Sequence, residues 1–593
     1  MIAQMTKYSF ILLNGQQKGL LEQLQELGLV DITRTAKQVD DASARLSSEV
    51  ELLDGLIQGL KKIELPEDIE PEAFDGDIVR LTGGLLSRYT KDAADIAELR
   101  KKVEGLRVWG HFDPEILQKL SDAGVPVHFH SLSNKLFKAD WAKEYALAVI
   151  GQDKNNTWFV VAGEDGLPGL LPTPEGDAAA LEASLTTQEA HFKTVQRRVA
   201  GAKERLPELE ALRREAYAKL DLYLAGQAAV PAAEDTIVTL VGYATTETDD
   251  AVTRALDASG VFYFKEAAVV EDNPPISLRN NWFVRQFEVL TDMYGRPAYD
   301  GFDPTPFISV FFLLFFAFCM GDCGYGLLLI GIGLLLRKVD SFKDMAPLVV
   351  LLGIGTTVIG FLFHTFFSMD ISTWSIFAPV KWMFLPGKIA GYDGTMVLSI
   401  VVGIVHLCLA MCVKTYEETK NKGFAGALGT WGWTLLIVGG VIVGSLALTG
   451  VLDKDLTKWI VIVLGVVSAL GIFVFNDPKR NKLANVGVGL WDTYNTATGL
   501  LGDVLSYLRL YALGLAGSML GMAFNNIGSM VLGDGSNALL WVPFLLIVVI
   551  GHTLNIAMAI LGAFVHPLRL NFLEFFKNSG YEARGRNFNP LSK

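Results

Sequence analysis

Residues 304–336 read PTPFISVFFLLFFAFCMGDCGYGLLLIGIGLLL, an apolar run with a single charge, at Asp322. An apolar run of about 18 residues already suffices to cross a bilayer, so this one is too long for a single span. Its middle is Gly321-Asp322-Cys323-Gly324-Tyr325-Gly326, turn chemistry around a carboxylate that lipid does not tolerate. The run is therefore read as a helical hairpin, 304–320 and 324–336, with Gly321, Asp322, Gly324 and Gly326 as its structural turn. Six further apolar segments follow, at 346–367, 395–413, 428–449, 459–475, 511–532 and 538–565. The expectation is an all-α polytopic membrane domain of about eight transmembrane helices.

The basic residues set its orientation. Arg337, Lys338 and Lys343, then Lys414, Lys420 and Lys422, then Lys479, Arg480 and Lys482, then Lys577, Arg584 and Arg586 all fall in loops of one parity or in the C-terminal tail. The other loops hold Lys381, Lys388, Lys454 and Lys458. The positive-inside rule puts the first set in the cytoplasm. The N-terminal stretch MIAQMTKYSF lacks the basic region, apolar core and cleavage site of an export signal, which places residues 1–300 there as well. The hairpin at 304–336 supplies the extra crossing that this parity requires.

The 593 residues divide sharply at about position 300. Residues 1–300 carry 48 Asp and Glu against 32 Lys and Arg, net −16; residues 301–593 carry 16 against 19, net +3, and the two sum to the chain's −13. A soluble enzyme, a disordered chain and a secreted disulfide scaffold are excluded by the second half. An acidic first half repels nucleic acid and points to protein partners.

In that first half, 8–13, 16–27 and 29–33 read as strand, helix and strand. The stretches 36–63, 76–106 and 178–226 are rich in Leu, Ala, Glu, Lys, Gln and Arg, with Pro207 as their one Pro, which predicts long helices. The last would be ~70 Å long at 1.5 Å per residue, so an antiparallel coiled coil with the earlier helices is the expected way to bury its apolar stripe. Short strands at 127–133, 145–151 and 157–162 with a helix at 114–123 read as an α/β lobe, and 236–269 repeats the pattern. The expected N-terminal fold is thus an α/β dumbbell. Its lobes are 1–35 with 230–275, and 108–165; its coiled-coil arms are 36–106 and 178–226. Residues 301–593 form the membrane domain.

Catalytic and metal motifs are missing. The phosphate-cradling G-x-x-x-x-G-K-[ST] pattern does not occur, so no Walker-type ATP site and no cofactor are expected. The eight histidines form no metal-ligand spacing, and Cys319/Cys323 and Cys408/Cys412, four apart in apolar helices, read as small packing residues. Ionisable residues in the spans are the functional candidates, because lipid makes them expensive. Arg509 lies in SYLRLYALGLA, 506–516, opening the seventh span, and Arg569 in HPLRL, 566–570, closing the eighth; hydropathy alone fits interfacial anchors under the positive-inside rule equally well. The helix around Arg569 reads from about Trp541 to Phe576, long enough to tilt and carry its guanidinium into the membrane. Asp503, Glu574, His566, His552 and Asn555 share these two segments and are candidate linings of polar paths.

Three motifs carry a resemblance: Asp303-Pro304-Thr305-Pro306 with the following Gly321–Gly326 turn, Ser506-Tyr507-Leu508-Arg509-Leu510 with Ala512-Leu513, and His566-x-Leu568-Arg569-Leu570 with Glu574-Phe575. In order and spacing they resemble subunit a, also called subunit I, of V-type and archaeal A-type rotary ATPases. Met293-Tyr294-Gly295-x-Pro297 and the N-terminal pattern extend the likeness across the chain. The absence of a long acidic insert before the seventh span is similar to bacterial and archaeal members. Gly517 departs from the eukaryotic pattern, which has a histidine there, and Pro567 stands in place of a small polar residue.

The resemblance implies a non-catalytic stator subunit. It would form two half-channels for an ion, H+ or Na+, against a rotating c/K proteolipid ring, and couple translocation to ATP hydrolysis or synthesis elsewhere in the complex. Arg509 and Arg569 would favour the ionised form of each ring carboxylate, since a nearby cation lowers a carboxylate pKa by ~1–3. A guanidinium keeps its charge when buried, whereas lysine loses it more readily. Peripheral-stalk E/G-type subunits and a central-stalk d/C-type subunit would be the soluble partners. The competing reading is an ion-coupled secondary transporter with a cytoplasmic regulatory domain. It calls for broken helices in matching positions of two repeats, and 304–336 has one break without a counterpart.

Overall fold

The computed structural model describes residues 1–593 except 35–39, 67, 74–75, 111–113, 139, 164–165, 174–177, 233–235, 340–341, 390, 476–481, 534–536 and 593. At 14, 114, 178–180, 231–232, 377–378 and 482–484 the backbone alone is described. Of the basic residues used for orientation, Lys479 and Arg480 lie outside the described residues. The chain packs as two compact units, one of Met1–Ile11, Leu29–Asp31 and Val241–Pro590, the other of Leu12–Gly28, Ile32–Leu240 and Leu591–Lys593. This packing division differs from the compositional one at 300, because residues 241–300 pack in the same unit as the apolar helices after them.

The first strands and helix are β1 (Met5–Leu13), α1 (Gln17–Leu27) and β2 (Asp31–Ile32). Tyr8, Phe10 and Leu12 of β1 are buried at every second position, the alternation of a sheet covered on one face. Two long helices follow, α2 (Asp41–Lys62) and α3 (Ile78–Arg107). Asp40 caps α2 by accepting from Ser43 N at 2.8 Å. The small lobe comprises α4 (Pro114–Asp122), β3 (Val127–Ser133), α5 (Trp141–Glu144), β4 (Ala146–Gln152), β5 (Asn156–Ala162) and β6 (Leu170–Leu171). Two more long helices, α6 (Ala178–Glu204) and α7 (Leu206–Gln227), lead to β7 (Val230–Ala232), β8 (Ile237–Thr245), α8 (Asp249–Ser259) and β9 (Phe262–Ala267).

The four long helices pair as antiparallel arms. α2 lies on α7, with ion pairs Lys61–Glu210 at 2.8 Å and Asp54–Arg213 at 3.1 Å, and α3 lies on α6, with Arg100–Glu189 at 2.6 Å. Between them Val50, Leu53, Ile57 and Leu60 are buried against Val195, Val199, Ala202 and Leu209. The first sheet has five strands, β2-β8-β1-β9 with β7 paired to β8, and the second has four, β4-β5-β3-β6, with Phe159 and Val161 in its core; along each four-strand path the order is 2-3-1-4. In the first sheet β8 lies between β2 and β1, although the whole second sheet comes between β2 and β8 in the chain.

After α9 (Trp282–Arg285) and α10 (Glu288–Tyr294) come the apolar helices. These are α11 (Thr305–Met320), α12 (Cys323–Leu336) and α13 (Ala346–Leu362), then α14 (Gly394–Gly426) beyond two short hairpins, β10–β11 (365–370) and β12–β13 (388–393). α15 (Leu428–Thr434) continues through a π turn into α16 (Gly440–Leu448); α17 (Lys454–Ala469), α18 (Lys482–Leu532), α19 (Trp541–Arg569) and, past a π turn at Leu570–Phe575, α20 (Phe576–Ser579) complete the fold. Among the described residues five helices are long and apolar enough to cross a membrane; α11, α12 and α13 are apolar but shorter, at 16, 14 and 17 residues. α11 is the hub. Phe311, Phe312, Phe315, Phe316 and Phe318 are buried along it, against Leu407 and Ala410 of α14, Tyr507 and Leu510 of α18 and Ala563 of α19.

One expectation needs correction. Arg509 does not open a span at 511: α18 begins at Lys482, so Arg509 stands near the middle of a helix of 51 residues. The stretch 485–503 contains Gly487, Gly489, Asp492 and Asn495, which conceal a helix from hydropathy, but it packs on the turn Leu470–Val474 and continues the same rod.

Candidate functional site

α18 and α19 pack along each other and carry both arginines. At about 100° per residue, Tyr507 and Leu510, both fully buried, fix one face of α18 inward and turn Arg509 about 200° away from Tyr507. Leu501, Leu505, Arg509, Ala512, Ala516 and Met519 then form one stripe at spacings of three and four; all but the half-buried Arg509 are exposed. α19 repeats the arrangement with Leu554, Met558, Leu561, Val565, Arg569 and Leu573, all exposed, the last on the π turn. Each arginine thus interrupts an apolar stripe that the described residues leave uncovered. Arg509 Nη1 is buried and has no hydrogen-bond partner among the described residues. Cys319, His566 and Glu574 lie within range of its charge.

Around the arginines the other candidates fall into two groups. Asp503 lies about two turns from Arg509 toward the start of α18; Asn578 Nδ2 donates to its Oδ2 at 2.8 Å and to the Glu574 carbonyl at 2.6 Å, and Lys577 Nζ is 3.5 Å from the same oxygen. Glu574 is buried with Oε2 unpartnered among the described residues, and His566 Nδ1 is likewise buried and unpartnered. Asp503, Glu574 and His566 therefore gather with Arg509 and Arg569 on one stretch of the α18–α19 seam, and Glu574 and His566 each keep a polar atom without a partner among the described residues.

His552 and Asn555 stand apart, about 17 and 14 residues before Arg569 and thus ~20–25 Å along the helix. They belong to a closed network. Tyr325 Oη lies 2.7 Å from His552 Nδ1 and accepts from Asn555 Nδ2 at 2.8 Å; Asn555 also reaches the Gly517 carbonyl at 2.9 Å. His552 Nε2 is 2.9 Å from Asn525 Oδ1, whose Nδ2 donates to the Phe367 carbonyl at 2.8 Å. Beside it is the hairpin turn. Gly321, at φ +54°, ends α11 in the left-handed region, and Asp322 starts α12. Asp322 Oδ1 accepts from the backbone N–H groups of Gly324, Tyr325 and Phe367 at 2.8, 3.1 and 2.9 Å, and Oδ2 from Ser368 at 2.6 Å. Gly324 and Gly326 lie in the first turn of α12. Sequence reasoning singled out Asp322, His552 and Asn555 but missed Tyr325, Asn525 and the 367–368 backbone; the paired polar Asn525-Asn526 inside an apolar segment is a signal that could have found one of them. Among the described residues no His, Cys, Asp and Glu group is arranged to hold a metal ion.

Comparison with known proteins bears on what this arrangement serves. The model of the V-type ATPase 116 kDa subunit family matches residues 179–382. The A-type ATP synthase subunit I of Methanocaldococcus jannaschii is 27% identical over an alignment covering 94% of this chain and 82% of that relative. The V-type ATP synthase subunit I 1 of Treponema pallidum is 24% identical with both chains covered in full, and the A-type ATP synthase subunit I of Pyrococcus horikoshii 31% identical over 54% of this chain and 48% of its own length. The resemblance read from the three motifs holds along the whole chain.

Proposed function

We propose that this chain, a relative of the V-type ATPase 116 kDa subunit family, is the membrane stator of a rotary V/A-type ATPase. It carries the path of H+ or Na+ against a rotating c/K proteolipid ring and performs no catalysis itself. One observation carries the reading: Arg509 and Arg569 each sit in an uncovered apolar stripe on neighbouring helices. Lipid alone disfavours a guanidinium among Leu, Met and Val, whereas a ring presenting one buried carboxylate per subunit supplies the opposite charge and an apolar surface together.

In this reading a carboxylate arriving at the α18–α19 seam ionises beside Arg509 and releases its ion, with Arg569 assisting. Asp503, Glu574 and His566 line the approach from the cytoplasmic side, and His552 and Asn555 that from the other. The fixed positive charge also stops ions passing between the two approaches without a ring carboxylate. Residues 1–300 form the cytoplasmic stator domain that takes torque through E/G-type peripheral stalks and meets a d/C-type central-stalk subunit. Residues 301–593 form the translocating domain, with α11, α12 and α13 added to the five longer helices to make eight spans and a cytoplasmic C-terminus.

The test is ATP-driven ion uptake in proteoliposomes, beside a native gel for assembly. Arg509→Lys and Arg509→Ala should both abolish coupled uptake in assembled complex, because lysine's point charge loses its proton on desolvation and cannot reproduce the planar fork. Arg569→Ala should lower uptake less. Normal coupled uptake in assembled Arg509→Lys would make Arg509 an interfacial anchor and overturn the reading.

A further inference from the structure

A second pair of residues, on α14 and α18, bears on where Arg509 points. Tyr507 and His406 are both fully buried, and His406 Nδ1 lies 2.9 Å from the Tyr507 hydroxyl. The imidazole is held on three sides, with ring centroids 4.2 Å from Phe311, 5.1 Å from Phe315 and 4.8 Å from Phe575, the last stacked within 7° of parallel. One turn earlier on α14, Gly403 leaves bare backbone under the tyrosine: a Cβ there would come within 2.3 Å of Tyr507 Cγ. Tyr507 is therefore seated in a socket that fixes both its depth and its direction.

The chemistry of the socket is uneconomical for packing alone. His406 Nε2 is buried with no partner among the described residues, so the imidazole leaves a polar atom unpaired where leucine would fill the same space without that penalty. What leucine cannot supply is the bond to the Tyr507 hydroxyl. We propose that His406 and Gly403 are positioning residues: they clamp Tyr507, and through it set the rotation of α18 that presents Arg509 to the ring. The two side chains leave α18 about 200° apart, so a rotation that frees Tyr507 from the socket swings Arg509 off the exposed stripe by the same angle. The inference rests on the role proposed above for Arg509 and adds to it the groups that aim it.

The experiment uses the assembled, reconstituted complex and reads the ratio of ion uptake to ATP hydrolysis. Tyr507→Phe keeps the ring and removes the hydroxyl; His406→Leu keeps the volume and removes the nitrogen. Each should lower the ratio about fivefold, the factor that one neutral hydrogen bond is typically worth, and the double variant should lower it no further than either alone. His406→Asn places a hydrogen-bonding atom near the Nδ1 position and should restore most of the ratio. If Tyr507→Phe does not assemble, His406→Leu against His406→Asn decides the matter by the same measurement. A merely structural role would lower the yield of complex and leave the ratio of what assembles unchanged in every variant, and that result overturns the inference. Arg509→Lys, measured alongside, separates the two failures: loss of coupling in Arg509→Lys with normal coupling in Tyr507→Phe and His406→Leu removes the positioning role alone, while normal coupling in Arg509→Lys removes the proposed function with it.

Discussion

Asp322 is a buried carboxylate in an apolar region, yet it is fully engaged, with four backbone N–H groups on its two oxygens. Two of those donors, on Phe367 and Ser368, belong to residues with φ of +47° and +59°, a left-handed backbone that non-glycine residues adopt at a cost of ~1–3 kcal/mol each unless the surroundings hold them. Asp322→Ala would leave four donors unpaired, three of them buried at ~1–3 kcal/mol apiece, and should cost far more stability than an ordinary substitution. Asp322→Asn keeps an oxygen for the three donors on Oδ1 and loses the bond from Ser368. The expected order of melting temperature for the purified protein in detergent is wild type, then Asn, then Ala; equal melting of wild type and Ala would show that the carboxylate does not hold the turn. The charge and glycines of this turn were legible in residues 321–326. Its partners were not, because Phe367 and Ser368 lie some 45 residues away and carry no mark of the bond their backbone donates.

At the scale of helices, two kinds of contact hold the arms, and their weights differ. Leu209 is fully buried between α2 and α7, so Leu209→Ala should cost ~2–5 kcal/mol, whereas Arg100→Ala, which removes an exposed pair with Glu189, should cost less than ~1 kcal/mol. Hydrogen exchange across residues 41–62 and 206–227 of the intact chain checks the first, and across 78–107 the second; faster exchange in Arg100→Ala than in Leu209→Ala would reverse the assignment of what holds the arms. In the membrane helices the same question is one of closeness. Gly403→Ala should force Tyr507 from its seat and lower both the melting temperature and the uptake-to-hydrolysis ratio, and unchanged values for both would show that α14 and α18 can separate without consequence. Helices α2, α3, α6 and α7 were readable from composition because helix propensity and the scarcity of Pro are local properties. The beginning of α18 was not, because its glycines and polar residues lower hydropathy while packing on Leu470–Val474 supports the helix.

Across the whole chain, the distribution of basic residues makes a prediction about sidedness. In a background lacking the native cysteines, Lys343→Cys and Arg584→Cys should be labelled from the same face of sealed vesicles and Trp382→Cys from the other. Labelling of positions 343 and 584 from opposite faces would remove the hairpin at 304–336. Stalk subunits should be captured by residues 1–300 of the intact chain; competition by antibodies against that half should release them, and no release would move the docking surface to the membrane half. The sequence by itself determined the acidic and apolar halves, the hairpin turn, the long arms and the two arginines on successive segments, since length, charge and periodicity are properties of adjacent residues. Tertiary structure alone decided that β8 pairs between β2 and β1, that Asp322 gathers the 367–368 backbone, that His552 and Asn555 close on Tyr325, and that Tyr507 meets His406. Those pairings join residues far apart in the chain, and what selects them is the free energy of leaving buried donors, acceptors and close-packed faces without partners, which no local stretch of sequence records.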